Sequence, residues 1–325
     1  YINFISMNAP SHFPETDLPL DQNPWLEKNT NDFLYHLWFD KNGIGIDGSL
    51  KWQTLEQIFW DVTHVCMWGS AERAQRFADT LHSEKYPDSE RSPIEPIGKT
   101  ERFSLYKVGK IISVSHGMGM PSMSILLNEI AKMLYYAKWN DIWRLRDEVS
   151  FIRIGTSGWV WVEWWTVVIA KNGVNPKWKK EHTETILWQD ITFPTTLNAD
   201  LSWEILAANT IEEVGKEIQV VLWDTIGTND FYGGQGRLDG FFAPWYTEKD
   251  KLWYLEKLYT KWVRNFEMES TCFAAFCLKA WLPGAIVCVA LLNRLNWDQV
   301  TANLDEISEN AEKIVLNYLQ KVQAI

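Results

Sequence analysis

An α/β fold, with a mixed central β-sheet flanked by helices on both faces in a three-layer αβα arrangement, is predicted by three observations on this chain. Short β-branched runs alternate with segments of helical spacing along most of the sequence, the order that layered α/β proteins require. The 325 residues are 46% apolar and 22% charged, enough to bury one full core. No Pro/Gly/Ser-rich linker divides them, so 31–325 reads as a single domain behind an irregular N-terminal arm at 1–30.

Taken in order, a strand near 62–68 breaks at Gly69-Ser70 and continues as a helix over 70–84. Serine ahead of a helical run is the ordinary N-cap signal. Strands follow near 103–108 and 110–116, then a helix over 121–138. The strand near 149–155 is an apolar, buried-type run that ends in the loop Gly155-Thr156-Ser157-Gly158. Strands near 165–170 and 217–223 flank a helix over 199–214, and a helix over 246–260 precedes the strand at 263–268. A helix over 269–280, a strand over 284–292 and a last helix over 304–322 complete the chain. In that last helix Leu304, Ile307, Ile314, Val315, Tyr318 and Leu319 recur at helical spacing, the pattern of a face packed on the core. The polar stretches 85–100 and 171–198 read as long loops, and no internal repeat is evident.

Four segments carry chemistry. Residues 227–240 set Gln235 and Arg237 on one glycine-lined stretch, with Phe231 four residues before the glutamine. A Gln amide offers an acceptor and two donors and an Arg fork offers donors only, so the pair complements an imide edge such as that of uracil. A surface loop with ordinary glycine punctuation is the competing reading. At 62–73 the strand, Gly-Ser turn and helix would aim backbone N–H groups at an anion, with Arg73 one turn inside the helix. Neither a Walker loop nor a dinucleotide Gly-x-Gly-x-x-Gly pattern is present there.

Further anion-compatible groups stand at Arg102 and at 151–158, where Arg153 lies inside the apolar run. A buried arginine must be paired or liganded. A structural ion pair with Glu269 is the alternative to a ligand. At 263–270 a strand closes on Glu267 and Glu269, and carboxylates at a strand end accept hydrogen bonds from vicinal hydroxyls, as a ribose site requires. A paired-carboxylate glycosidase is a further possible reading, and the one favoured has one Glu binding sugar while the other is structural.

In this order the segments resemble the uridine phosphorylases of the nucleoside phosphorylase I family, particularly the animal type. The resemblance runs from about residue 31 onward and rests on Leu-Tyr-His-Leu at 34–37, Gly-Ser-Ala-Glu-Arg at 69–73 and Ser-Val-Ser-His-Gly-Met-Gly at 113–119. Ile-Arg-Ile-Gly-Thr-Ser-Gly at 152–158, Gln-Gly-Arg-Leu-Asp-Gly at 235–240, Asn-Phe-Glu-Met-Glu-Ser at 265–270 and Leu-Leu-Asn-Arg-Leu at 291–295 complete it. It implies a nucleoside phosphorylase-like fold and reversible phosphorolysis of uridine to uracil and ribose 1-phosphate, with phosphate as a substrate and no cofactor or metal. Gly69, Arg73, Arg153 and Thr156 would bind phosphate, joined by Arg102 from a second subunit. Gly158, Phe231, Gln235, Arg237, Leu291 and Leu292 would surround uracil, with Arg294 supporting the base-binding loop. Glu267, Met268 and Glu269 would bind ribose, and His36 from the neighbour would contact its 5′ end. Arg73, Arg102, Arg153, Gln235 and Arg237 would carry catalysis. The shared residues imply a homo-oligomer, at least a dimer.

One feature departs from the family. Tryptophan occurs 20 times, more than Phe at 15 or Tyr at 11. Trp38, Trp60, Trp68, Trp159, Trp161, Trp165, Trp262, Trp281 and Trp297 stand where the family usually has glycine. Trp68 and Trp159 adjoin the expected phosphate loops, where strain or obstruction would leave a non-catalytic nucleoside-binding homologue or an altered nucleoside preference.

Charge and composition narrow the partners. A net charge of −11 and an acidic pI near 5.1 argue against nucleic acid or anionic membrane. Cys66, Cys272, Cys277 and Cys288 lie in apolar runs without CxxC spacing and read as buried thiols. His116 and His64 read as structural. No apolar run reaches membrane-spanning length and 1–30 lacks a signal pattern, so the cytoplasm is the expected location.

Overall fold

The computed structural model describes residues 23–28, 32–40, 54–87, 93–98, 102–162, 165–210, 215, 218–295 and 304–325. Most of the expected arm and Trp297 lie outside the described residues; Trp25–Lys28 forms a short helix, α1. The hairpin strands β1 (Phe33–Leu34) and β2 (Phe39–Asp40) and helix α2 (Leu55–Phe59) precede the main sheet. Next come β3 (His64–Trp68), α3 (Ala71–Lys85), β4 (Leu105–Val108), β5 (Ile111–Ser115), α4 (Met120–Ala137), α5 (Ile142–Glu148) and β6 (Ser150–Trp159). The order continues with β7 (Val167–Val174), β8 (Glu181–Ile186), β9 (Gln189–Pro194), α6 (Ala199–Ala207) and β10 (Val220–Gly227). Last are α7 (Glu248–Thr260), β11 (Val263–Glu267), α8 (Ser270–Ala280), β12 (Gly284–Asn293) and α9 (Leu304–Lys321).

Eight of these strands form one mixed sheet in the order β11-β10-β7-β12-β6-β3-β5-β4. Alternate residues of β3 face opposite layers, as strand geometry demands. Val65 and Met67 pack with Met123, Leu126, Leu127 and Phe273 of α4 and α8. Cys66 and Trp68 pack with Phe77, Ile205 and Ile314 of α3, α6 and α9 on the other side. Each such fully buried side chain contributes about 1.5–3 kcal/mol. The expected sheet between two helical layers is therefore present. It differs in one respect: β11 also pairs antiparallel with β6, Asn265 opposite Trp159 and Phe266 opposite Gly158, so the sheet curls back on itself. The ten-residue β6 and β12 run in parallel past their neighbours, and their accumulated twist allows this closure.

The stretch 171–198 is not the long loop expected. It extends β7 to Val174 and adds the hairpin β8–β9, whose mostly polar strands bury Phe193 alone and so give little apolar alternation. Cross-strand bonds such as Thr183 to Thr192 at 3.0 Å and Thr185 to Asp190 at 2.7 Å help to hold it. Helices α2 and α5 were too short for periodicity to reveal, but both carry caps: Thr54 with Gln57 as a reciprocal box, and Asp141 accepting from two backbone N–H groups. All four cysteines are buried free thiols.

The strain expected at Trp68 and Trp159 is absent, since both lie in strands. Trp68 is 1% exposed, its ring 5.0 Å from Phe77 in the core. Trp60 is right-handed, at φ −57°. Left-handed backbone occurs instead at Trp38, Trp139, Trp161, Trp165, Trp178, Trp262 and Trp281, with φ between 54° and 71°.

Candidate active site

One cavity gathers the ends of β3, β6, β11 and β12, the turn after β5 and the loop after β10. At the end of β3 the chain turns through Gly69 into α3, whose N-cap Ser70 accepts the Arg73 backbone N–H at 3.3 Å and its Nε at 3.2 Å. This folds the Arg73 side chain back over the helix start, where the dipole and free N–H groups already favour an anion. A Cβ on Gly69 would lie 2.9 Å from Arg73 Nη2, so the glycine makes room for the guanidinium. Burial, then the nearby Arg153, lowers the Arg73 pKa from its usual value.

Arg153 projects from β6 and is 3% exposed. It donates to Glu269, to Glu267 Oε2 at 3.0 Å and to Cys288 Sγ at 3.0 Å. Burial opposes its charge, but Glu267, Cys288 and Glu269 outweigh burial and raise its pKa. The two carboxylates differ although they are two residues apart. Glu267 accepts the backbone N–H groups of Glu269 at 2.8 Å and Ser270 at 2.7 Å, closing the turn into α8. Glu269 accepts from Arg153 and from the Gly119 N–H at 2.5 Å, the start of α4. Burial pushes Glu267 upward; Glu269 is buried too, yet Arg153 and its other donors hold it down. The structural ion pair weighed from the sequence is thus present, and its carboxylates also face the cavity.

On the opposite wall stand Gln235, 2% exposed, and Arg294, fully buried, which donates to the Gln235 Oε1. The amide nitrogen of Gln235 is thereby set as a donor. Gly158 permits this arrangement: a Cβ there would lie 2.3 Å from Arg294 Nε. Thr156, Gly158, Phe231, Phe266, Met268, Leu291 and Leu292 complete the lining.

Residues 63–320 match the family model of the phosphorylase superfamily. The chain belongs to that superfamily, in its uridine phosphorylase branch. It is 38% identical to uridine phosphorylase 2 of Mus musculus over 92% of this chain and 89% of that one. It is also 32% identical to the inactive uridine phosphorylase B of Schistosoma mansoni, over 87% of this chain and 89% of that one. Solved structures of the Schistosoma mansoni uridine phosphorylase with uracil and with thymidine superpose with a TM-score of 0.81, at 32% and 33% identity; each alignment covers 94% of this chain and 99% of that one.

Arg237, assigned to the site by the family resemblance, lies outside the cavity of this phosphorylase-family chain, as do His36 and Arg102, which the resemblance assigns to the neighbouring subunit's site. Arg237 pairs with Asp239 through Nε at 2.8 Å and stacks 4.5 Å over the Phe231 ring, so its fork is turned away from the lining. His36 contacts Glu129 Oε1 through Nδ1 at 2.8 Å, in a separate hollow with Asp32 and Lys132. Arg102 is exposed on the strand-approach before β4. Conversely, His116, Gly117, Met118, Ser157 and Phe266 line the cavity without having been assigned a role there. A signal existed for the first three. Ser-His-Gly-Met-Gly repeats the strand, glycine turn and helix start of 68–71, and Gly119 takes φ 84° to enter α4.

Proposed function

We propose that this chain catalyses the reversible phosphorolysis of uridine to uracil and ribose 1-phosphate. The observation that carries the reading is one cavity lined both by an anion cradle, Gly69, Arg73, Arg153 and Thr156, and by Met268, Glu269 and Gln235. Phosphate sits against the Gly69 backbone, Arg73 and Thr156, with the partner subunit's Arg102 closing over it. Glu269 receives the ribose hydroxyls beside Met268, Glu267 shapes the turn that holds it, and the partner subunit's His36 meets the 5′ hydroxyl. Phe231, Gly158, Leu291 and Leu292 enclose the uracil ring. Gln235 donates to a uracil carbonyl, and Arg237 swings from Asp239 to complete the imide edge.

The chemistry needs no covalent enzyme intermediate and no cofactor. Phosphate attacks C1′ as the glycosidic bond opens, the sugar gains oxocarbenium character, and the electron pair leaves with uracil. Arg73 and Arg153 hold the anionic nucleophile beside that carbon, which is catalysis by positioning and electrostatics. Gln235 and Arg237 stabilise the uracil anion. A 6-aminopurine offers this pair the wrong donor pattern, so adenosine is rejected. The active unit is a homo-oligomer, at least a dimer, acting on small cytosolic nucleosides.

The test is uracil release from uridine by the purified chain with and without inorganic phosphate. Phosphate-dependent release is expected. A folded protein that binds uridine yet releases nothing would instead match the inactive relative; obstruction is not its cause, since neither Trp68 nor Trp159 lines the cavity.

A further inference from the structure

His116 follows β5 and is held by its own backbone. Its N–H donates to the Trp68 carbonyl at 2.6 Å, and its carbonyl accepts from Ser122 Oγ at 2.6 Å. The imidazole is 1% exposed and lines the cavity; neither Nδ1 nor Nε2 meets a protein partner at hydrogen-bond distance and angle, although the Gly117 backbone is near enough to act on the ring. Buried polar atoms in native proteins almost always find a partner, and the open side of this ring is the cavity itself. Arg73 and Arg153 of the anion cradle and Glu269 all act electrostatically on the ring, and its Cε1 lies 3.8 Å from where a Cβ on Gly69 would stand. Burial in this surrounding keeps the ring neutral, with its pKa lowered to about 3. A neutral imidazole has one donor and one acceptor. Phosphate oxygens need donors, whereas a sugar hydroxyl can donate.

We propose that His116 bridges the two substrates, donating an N–H to a phosphate oxygen and accepting a hydrogen bond from a ribose hydroxyl at its other nitrogen. The inference rests on the phosphorolysis reading. It gives the cavity a group that senses both substrates at once and sets the nucleophile against C1′. The test compares the parent with His116→Leu and His116→Gln. The readouts are uridine, 2′-deoxyuridine and 3′-deoxyuridine kinetics, together with calorimetric binding of inorganic phosphate. His116→Leu is expected to weaken phosphate and lower kcat/KM for uridine by roughly ten- to hundredfold. His116→Gln, which keeps a donor and an acceptor, should recover part of the loss. The His116→Leu penalty should also shrink on the deoxynucleoside that lacks the bridging hydroxyl. Unchanged phosphate affinity in His116→Leu, or an equal penalty on all three nucleosides, overturns the proposal. A parent without turnover overturns the phosphorolysis reading instead, and phosphate binding alone then decides the role of His116.

A second inference rests on backbone angles. Among the described residues, seven of the ten non-glycine residues with positive φ are tryptophan. Left-handed backbone is costly for any residue with a Cβ, and a bulky aromatic is unsuited to it. The hydrogen bonds around Trp281 are those of a glycine cap: its N–H donates to Leu278 and the Leu282 N–H to Cys277, closing α8 as a Schellman turn. We infer that these seven positions are glycine sites, and that one codon read here as tryptophan is decoded as glycine in the cell that makes the protein. Peptide mass spectrometry of the protein from its source, with the codons of its gene, tests this. Glycine at the seven positions and a codon they share are expected. Tryptophan at those positions in the isolated protein overturns it.

Discussion

At the cavity, Gly69 and Gly158 stand where a side chain would collide with Arg73 and Arg294, and the polar groups around them are tied to one another. At the outer turns, Trp161, Trp262 and Trp281 occupy left-handed backbone while remaining 54%, 68% and 51% exposed. The two regions bear a disfavoured residue differently. In the cavity any change reaches the chemistry through a shared network, whereas at the turns it reaches only the local backbone. Function should therefore be sensitive at the first region, and stability alone at the second.

The largest separation is expected from Arg73→Ala, which removes a cradle cation without touching the core. It should lower kcat/KM by roughly two to three orders of magnitude with little change in Tm; near-normal turnover would remove Arg73 from the cradle. Gly158→Ala should act more mildly through Arg294, which must retreat from Gln235 to admit a Cβ. A rise of roughly tenfold in KM for uridine, at unchanged phosphate KM, is the expected steady-state result.

Much of this was readable in the sequence. The strand, glycine turn and helix at 68–73 and the burial of Arg153 were legible, because those elements are local and their residues are consecutive. The orientation of Arg237 was not legible: Gln235 and Arg237 are two residues apart, but a contact with Asp239 turns one fork outward. The closure of the sheet was equally hidden, since the pairing of β11 with β6 joins residues about a hundred positions apart and leaves no local signature. The hairpin β8–β9 escaped because its strands are mostly polar, with cross-strand pairs such as Thr183 and Thr192 adding to the burial of Phe193.

Acid should act on the molecule through buried histidines from both core and cavity. Burial lowers the pKa of His64 to about 4 and that of His116 to about 3. Each folded value lies below the unfolded one of about 6.5, so the unfolded chain binds the proton first. Stability is then fully present above pH 6.5 and is lost as pH falls toward 4, by on the order of 1–3 kcal/mol per histidine. Denaturant melts at pH 7 and pH 5 check this. His64→Gln should flatten the profile, and an unchanged slope in that variant would assign the loss elsewhere.

The smallest effect is the sharpest test of the comparison, because two tryptophans of nearly equal exposure differ in backbone hand. Trp281 is 51% exposed at φ 56°, and Trp60 is 52% exposed at φ −57°. Glycine relieves strain at the first site but only adds backbone freedom at the second. Trp281→Gly should therefore stabilise the protein by about 1 kcal/mol, less whatever the Arg146 contact over its ring supplies. Trp60→Gly should destabilise it by up to about 1 kcal/mol. Opposite shifts in denaturation midpoint, with uridine turnover unchanged in both variants, would show that the turns carry strain and not function. Shifts of the same sign would mean that ring packing, rather than backbone hand, decides the stability of these turns.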